Sequence, residues 1–395
     1  MTTHMTSTQV GIVGAGPAGL MLSHLLALAG IDSVVVDQRS RAEIEHTVRA
    51  GILERDSVRL LVESGVSRNV LIEGDEHRGI ELAFGGSSHR VDFQEAVGAS
   101  VWLYPQTSVF KDLASVREAA GADMRFGVSG TEVADIETES PVIRFLDTDG
   151  TRHEVRCRYL VGADGSHSMC RQQVPEARRR QYFREYPFAW FGILCEAPRS
   201  ADELIYNHSE RGFALISQRT PSMQRMYFQC DPGEDVSQWS DDRIWFELQA
   251  RVGENGHTLE EGPIVDRSVL RFRSFVHEPM RYGSMLLAGD AAHTVPPTGA
   301  KGLNLALADV RVLAECLERA LRKDAAEALE EYTDRALARV WKAQHFSFWM
   351  TRMLHRLPDG TEFDRRRQQA ELQSLVESSA GRMYLAEGYT GWPRS

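Results

Sequence analysis

The sequence predicts an α/β (α+β) fold on three observations. A strand, a glycine turn, a helix and a second strand open the chain over residues 9–37. Two later apolar runs end in Asp-Gly and Gly-Asp, at residues 159–165 and 286–293. Between about 182 and 272 the helix–strand alternation gives way to short strands, the pattern of an antiparallel layer added to a parallel one. The 395 residues suffice for roughly two to three domains and a full core without covalent staples. Apolar residues at 42% and charged residues at 26% exclude a disordered or fibrous chain. The net charge of −11 argues against nucleic acid as the main partner and leaves room for a local basic pocket. Cys157, Cys170, Cys195, Cys230 and Cys316 form no CxxC pair, so no disulfide framework and no metal site is assigned; reduced thiols point to the cytoplasm. The first ten residues, starting from Met1 or Met5, lack a signal-peptide layout. No apolar run approaches the roughly 18 residues of a membrane span, so no membrane partner is expected.

Residues 9–13, with Val10-Gly11-Ile12-Val13, read as a buried strand. Gly14-Ala15-Gly16-Pro17-Ala18-Gly19 follows at once. Residues 20–29 read as a buried helix stopped by Gly30, and residues 31–36 as a β-branched strand ending at Asp37. In this context GxGxxG is a dinucleotide fingerprint. Gly14 permits the tight turn, Gly16 lets backbone approach a pyrophosphate, and Gly19 lets the helix pack on the strand. The helix N-terminus offers N–H groups to phosphates, and Asp37 stands at the distance of ribose hydroxyls. FAD and NAD share this motif, so it does not by itself name the cofactor.

In the middle region, residues 188–195, 203–207, 212–218 and 223–230 read as antiparallel strands. Residues 80–84 and 89–93, joined by Gly85-Gly86-Ser87-Ser88, read as a hairpin that could join the same layer. Tyr206, Ser217, Arg219, Arg225 and Tyr227 are pocket candidates. Ser217 and Arg219 are two apart and point to one face of a strand, as do Arg225 and Tyr227. A hydroxyl, a guanidinium and a phenol converging on one spot suit a carboxylate, against the plainer readings of solvated arginines and packed tyrosines. Residues 325–356 read as helical, with Trp341, Phe346, Phe348, Trp349 and Met350 forming core or a subunit interface.

The order strand–GxGxxG, Tyr159–Gly165 and Leu286–His293, followed by Pro296-Pro297-Thr298-Gly299-Ala300-Lys301-Gly302-Leu303-Asn304, resembles the single-component FAD-dependent aromatic hydroxylases. Glu203-Leu204-Ile205-Tyr206, Arg211-Gly212-Phe213-Ala214-Leu215, Ser217-Gln218-Arg219, Arg49-Ala50-Gly51-Ile52-Leu53-Glu54 and Tyr389 narrow the resemblance to the para-hydroxybenzoate hydroxylase family, over essentially the whole chain. That resemblance implies an FAD-binding region at 1–181 with 80–100 in the substrate layer. It also implies an antiparallel substrate region at 182–272, and at 273–395 completion of the FAD site with helices and a homodimer interface. It implies hydroxylation of 4-hydroxybenzoate to 3,4-dihydroxybenzoate with O2 and NADH or NADPH, through a C4a-hydroperoxyflavin. By matching position, Ser217, Arg219 and Tyr227 would hold the substrate carboxylate. Tyr206 would hydrogen-bond the phenol, with Tyr389 behind it, His77 at the solvent end of a proton relay, and the Pro297 carbonyl on the phenol oxygen. Arg49, Gln106 and Asp290 would contact FAD. The loop Gly299, Lys301, Gly302, Leu303 and Asn304 would cradle the flavin, and Arg225 would help the flavin move.

His167, Arg171 and Arg273 match positions that bind the nicotinamide nucleotide, and Asp164 would lie nearby. The segment after Asp37 departs from the NADPH-preferring pattern, with Gln38, Glu43 and Thr47 where those relatives carry Arg, Tyr and Arg. Glu43 and Glu45 would repel a 2′-phosphate while Arg39 and Arg41 would attract it, which favours NADH or use of both donors. The same chemistry on another hydroxy- or aminobenzoate, and a non-catalytic flavoprotein that senses aromatic acids, are the competing readings.

Overall fold

The computed structural model describes residues 3–47 and 51–392. Arg49 therefore lies outside the described residues. Among those described, one eight-stranded sheet has a parallel centre in the order Asp123–Phe126, Ser33–Asp37, Thr3–Val13, Arg152–Gly162, Met285–Leu287. The antiparallel pair Ser129–Ala134 and Val142–Leu146 extends from Arg152–Gly162. The centre is buried on both faces, as its Val/Ile/Leu runs require. The helix Pro17–Leu28 packs against it beside the long helix Gly302–Arg322. The first strand begins at Thr3, earlier than the apolar run suggests. Residues 3–8 carry no apolar alternation, yet they pair in register with Arg152–Cys157, so tertiary pairing extends what local pattern could not.

A second eight-stranded sheet runs His293–Thr294, Ile264–Glu278, Arg180–Cys195, Met223–Cys230, Gly212–Thr220, Ile205–Ser209, Gly79–Phe84, Ser87–Asp92. The expected hairpin thus joins the middle layer, by parallel pairing of Gly79–Phe84 with Ile205–Ser209. The sequence reading missed the helix Asp241–Gly253 and the strand Ile264–Glu278, which crosses residue 272 unbroken. The helix signal was present: Ser240 caps the Arg243 N–H, and Ile244, Leu248 and Val252 recur at helical spacing on the buried face.

The C-terminal helices Glu331–Leu354, Glu362–Glu377 and Ser379–Thr390 close over the second sheet. The aromatic group near 346 divides: Phe346 and Met350 are core, while Trp341 is 42% exposed. All five cysteines are free. No helix among the described residues is long and apolar enough to cross a membrane.

Candidate active site

The glycine turn is dictated by contact, not only by flexibility. Gly14 holds φ +108°, and a Cβ there would lie 2.2 Å from the Ala163 carbonyl oxygen. A Cβ on Gly19 would lie 1.8 Å from the Gly14 carbonyl oxygen, whereas one on Gly16 would meet nothing within 4 Å. Gly16 caps Pro17–Leu28 with no side-chain acceptor, and the space a Cβ would occupy there is open. Those features fit a dinucleotide pyrophosphate. Asp37 is buried with both oxygens engaged: it accepts from the Ala15 N–H (2.8 Å) and from Arg39 through N, Nε and Nη2 (2.9, 3.2 and 3.0 Å). A ribose hydroxyl reaches it only if the Arg39 guanidinium gives way.

The second half is built around the strand end at Leu287. Asp290 lies in the turn Gly289–Ala291, which buried Asp309 pins by accepting the Gly289 N–H (2.9 Å) and meeting His293 Nε2 (2.6 Å). The turn Pro297–Gly299 and Ala300, at φ +53°, lead into Gly302–Arg322. The side chains of Lys301 and Asn304 are engaged within the protein. Lys301 Nζ is buried on Glu54 Oε1 (2.7 Å) and the Tyr389 carbonyl (3.0 Å), and Arg339 donates to Glu54 Oε2 (2.7 Å). Burial lowers the Lys301 pKa and Glu54 opposes that shift. Asn304 accepts from the Glu54 N–H (2.9 Å) and the Ser57 hydroxyl (2.7 Å), and donates to the Ile52 and Ala300 carbonyls (2.9 Å each). These side chains clamp the strand Ile52–Glu54 to the loop. Backbone at Gly302 faces open space, which fits a flat ring lying against the loop. Leu303 is half-buried, a Cβ on Gly299 would strike Ser347 Oγ at 2.6 Å, and Gln106 opens the helix Gln106–Ala119.

The pocket candidates share one face of the second sheet. Tyr206 stands opposite Leu215, Leu215 opposite Tyr227, Tyr227 opposite Gly192, and Ser217 opposite Arg225. Directly opposed residues point the same way. Gly192 is bare because a Cβ there would meet the Tyr227 ring at 2.8 Å. Arg219, two residues after Ser217, lies beside Tyr227 and Arg225 as strand alternation predicts, and the register shifts between Gln218 and Thr220 at that point. Arg225 donates to Asp266 (2.9 Å), Ser268 (3.1 Å) and the Tyr227 hydroxyl (3.3 Å). Arg219 has no carboxylate partner among the described residues, and its Nε is buried without an acceptor. Burial lowers its pKa, opposed by the Tyr227 phenol. A buried unpaired guanidinium is costly, and an anion beside it removes the cost.

The hydroxyls of Tyr206 and Tyr389 lie 2.7 Å apart, both buried, and burial pushes both pKa values up. Tyr206 Oη is 3.3 Å from the Thr298 carbonyl. A carbonyl only accepts, so Tyr389 donates to Tyr206 and Tyr206 to Thr298. The Pro297 carbonyl, expected near the phenol, accepts the Ala300 N–H (2.9 Å). His77 is buried with Nε2 3.3 Å from Asp75 Oδ2, its Nδ1 lacks a partner, and burial lowers its pKa. No hydrogen bond joins it to Tyr389 among the described residues.

Among the nucleotide candidates, Arg171 and Arg273 are near enough to feel each other's charge. Arg39 is tied to Asp37, and Arg41 to Glu45 (2.8 Å) and Glu118 (2.7 Å). Arg171 donates to the Ala291 and Ser166 carbonyls (2.7 and 2.8 Å) and stacks on Phe275. His167 is exposed and Arg273 half-buried.

Residues 7–347 match a family model described as FAD binding domain. The chain is 44% identical over 388 residues, 98% of its length and 96% of the relative's, to a p-hydroxybenzoate hydroxylase of Acinetobacter baylyi (strain ATCC 33305 / BD413 / ADP1). It is 27% identical, over 90% of this chain and 89% of the relative, to a 3-amino-4-hydroxybenzoate 2-monooxygenase of Streptomyces cremeus. The fold matches the crystal structure of a p-nitrophenol 4-monooxygenase from Pseudomonas putida DLL-E4 with a TM-score of 0.79, covering 99% of this chain and 100% of that one at 18% identity. With the glycine turn, the second-sheet pocket and near full-length identity in agreement, the chain belongs to the p-hydroxybenzoate hydroxylase family of FAD-dependent aromatic hydroxylases.

Proposed function

We propose that this protein hydroxylates 4-hydroxybenzoate ortho to its phenol, giving 3,4-dihydroxybenzoate and water from O2 and NADH or NADPH. The carrying observation is a half-buried Arg219 whose Nε is buried without an acceptor and which has no acid partner among the described residues, on the sheet face that also carries Tyr206, hydrogen-bonded to Tyr389. A benzoate carboxylate supplies the missing anion, with Ser217 and Tyr227 completing the clamp. The phenol then meets Tyr206. A phenol ordinarily ionises at about pH 10, so a phenolate at neutral pH needs donors around its oxygen. Tyr206 would accept the phenolic proton while passing its own to Tyr389, whose proton leaves toward solvent with His77 as the proposed outer end of the route, and Tyr206 would then donate to the phenolate oxygen. The glycine turn and the Pro297–Asn304 loop would hold FAD, which when bound and reduced would supply, with O2, the electrophilic oxygen for the ring. The surrounding aromatic wall keeps water out. The test is product analysis: FAD-loaded protein, 4-hydroxybenzoate, NADH or NADPH and air should yield 3,4-dihydroxybenzoate. Donor oxidation that leaves only hydrogen peroxide, while another aminobenzoate or hydroxybenzoate is hydroxylated, overturns the assignment.

NADH is the proposed preferred donor, with His167, Arg171 and Arg273 facing it. Support comes from charge pairing: Arg39 and Arg41 already face Asp37, Glu45 and Glu118, and Glu43 closes a capping box on Ser40, so neither arginine is left awaiting a 2′-phosphate. The ratio kcat/KM for NADH should exceed that for NADPH by about tenfold, equivalent to roughly 1.4 kcal/mol. Equal or inverted ratios refute it.

A homodimer is also proposed. The Arg180–Glu185 stretch pairs only with Ile264–Glu278 among the described residues, leaving one edge open beside Tyr182 and Phe183, 43% and 58% exposed, and the Tyr182–Trp341 ring contact at 5.2 Å. An open apolar edge favours self-association. Light scattering should give twice the chain mass, and a monomer at micromolar concentration contradicts this.

A further inference from the structure

The pocket's aromatic wall contains a histidine that the reaction does not use. Trp190 lies two residues before Gly192, so it shares the face of Tyr206 and Tyr227. Its ring stands 5.0 Å from Tyr227 and 5.3 Å from Phe213, and Phe213 stands 6.1 Å from Tyr206. Trp190 and Phe213 therefore bridge the clamp end of the pocket to the phenol end. An indole N–H in such a wall needs an acceptor. His355, just beyond the helix Glu331–Leu354 and fully buried, provides it: Trp190 Nε1 donates to His355 Nε2 at 2.6 Å. Because Nε2 accepts, Nδ1 carries the proton and donates to the Thr351 carbonyl at 2.9 Å. The imidazole is sandwiched against Phe188 (4.6 Å) and Phe213 (4.4 Å). Burial drops its pKa to about 3, so the ring is neutral at working pH and this tautomer persists.

The same turn reaches the phenol end by a second route. Thr351 Oγ1 lies 2.6 Å from the Ser347 carbonyl and 2.9 Å from Thr298 Oγ1. Its single proton goes to the carbonyl, so the Thr298 hydroxyl donates to Thr351. Thr298 is the residue whose carbonyl receives the Tyr206 hydroxyl. One helix end thus holds both the wall and the resting acceptor of Tyr206.

We propose that His355 is a positioning residue for the aromatic substrate: by accepting the Trp190 indole N–H it fixes the wall that aligns the ring between Arg219 and Tyr206. The inference rests on the function proposed above. Loss of a buried hydrogen bond that aligns a wall should weaken ligand binding about tenfold and divert turnover to peroxide.

The test uses FAD-loaded His355→Leu, His355→Gln, Trp190→Phe and the double variant Trp190→Phe/His355→Leu. Dissociation constants come from the change in flavin absorbance with 4-hydroxybenzoate, and coupling from product formed per NADH oxidised. His355→Leu and Trp190→Phe should each lose about tenfold in affinity and at least half of the coupling. The double variant should be no worse than Trp190→Phe, because both remove one interaction. His355→Gln, whose amide oxygen can accept, should recover part of the loss. Wild-type affinity and coupling in His355→Leu, or additive losses in the double variant, overturn the proposal. Should His355→Leu not fold, Trp190→Phe and His355→Gln decide: unchanged affinity in Trp190→Phe, or no recovery in His355→Gln relative to it, is fatal. Wild-type protein that fails to bind 4-hydroxybenzoate sinks the functional reading instead. Trp190 alignment is then still read by the near-ultraviolet dichroism that Trp190→Phe removes, which His355→Leu should also remove and which must survive in His355→Gln.

Discussion

Tyr206→Phe should bind 4-hydroxybenzoate and allow flavin reduction, yet form product about 10²–10⁴-fold more slowly. The substitution deletes one hydroxyl from a fully buried site and leaves the ring in its packing with Phe213. It breaks the chain from Tyr389 to Thr298, so nothing donates to the phenolate oxygen and nothing relays its proton. The Tyr389 hydroxyl and the Thr298 carbonyl also lose their partner, costing roughly 1–3 kcal/mol of stability. Stopped-flow absorbance separates the two effects: the reduction step should keep its rate while 3,4-dihydroxybenzoate per NADH collapses. The remaining slow hydroxylation should speed up as pH approaches the phenol's own pKa. Product formation at the wild-type rate would remove Tyr206 from its role.

Arg219→Met should move two observables in opposite directions. Acid binding should weaken by about 2–5 kcal/mol, the range for removing one partner of a buried charge pair. The ligand-free protein should become more stable, because a half-buried guanidinium whose Nε is buried without an acceptor is replaced by an apolar chain of similar length. Isothermal titration and thermal unfolding read the two. Unchanged affinity, or a lower melting temperature without ligand, would show that Arg219 is a structural cation rather than half of a clamp.

What could be read in the sequence is what short-range geometry controls. Gly14 and Gly19 are legible because no other residue fits the backbone contacts they make, and Tyr206, Ser217, Arg225 and Tyr227 because strand alternation sends opposed residues to one face. Arg219 joins them by the same alternation, two residues after Ser217; the register shift beside it is what local pattern does not announce. The tie of Lys301 and Asn304 to the strand Ile52–Glu54 could not be read in the sequence. Their partners, Glu54 and Ser57, stand about 250 positions earlier, and no local pattern announces them. The Trp190–His355 bond spans 165 residues and was equally invisible, as was Arg339 on Glu54. The helix Asp241–Gly253 was legible and overlooked, masked by strands on either side.

The last helix, Ser379–Thr390, contributes the Tyr389 hydroxyl to Tyr206 and its carbonyl to Lys301. A nascent chain still waiting for that segment has its nucleotide turn and its arginine clamp already synthesised, but neither the second phenol nor the oxygen that steadies the buried ammonium. The Tyr206–Tyr389 hydrogen bond and the carbonyl contact to Lys301 therefore form only once residue 389 has been added.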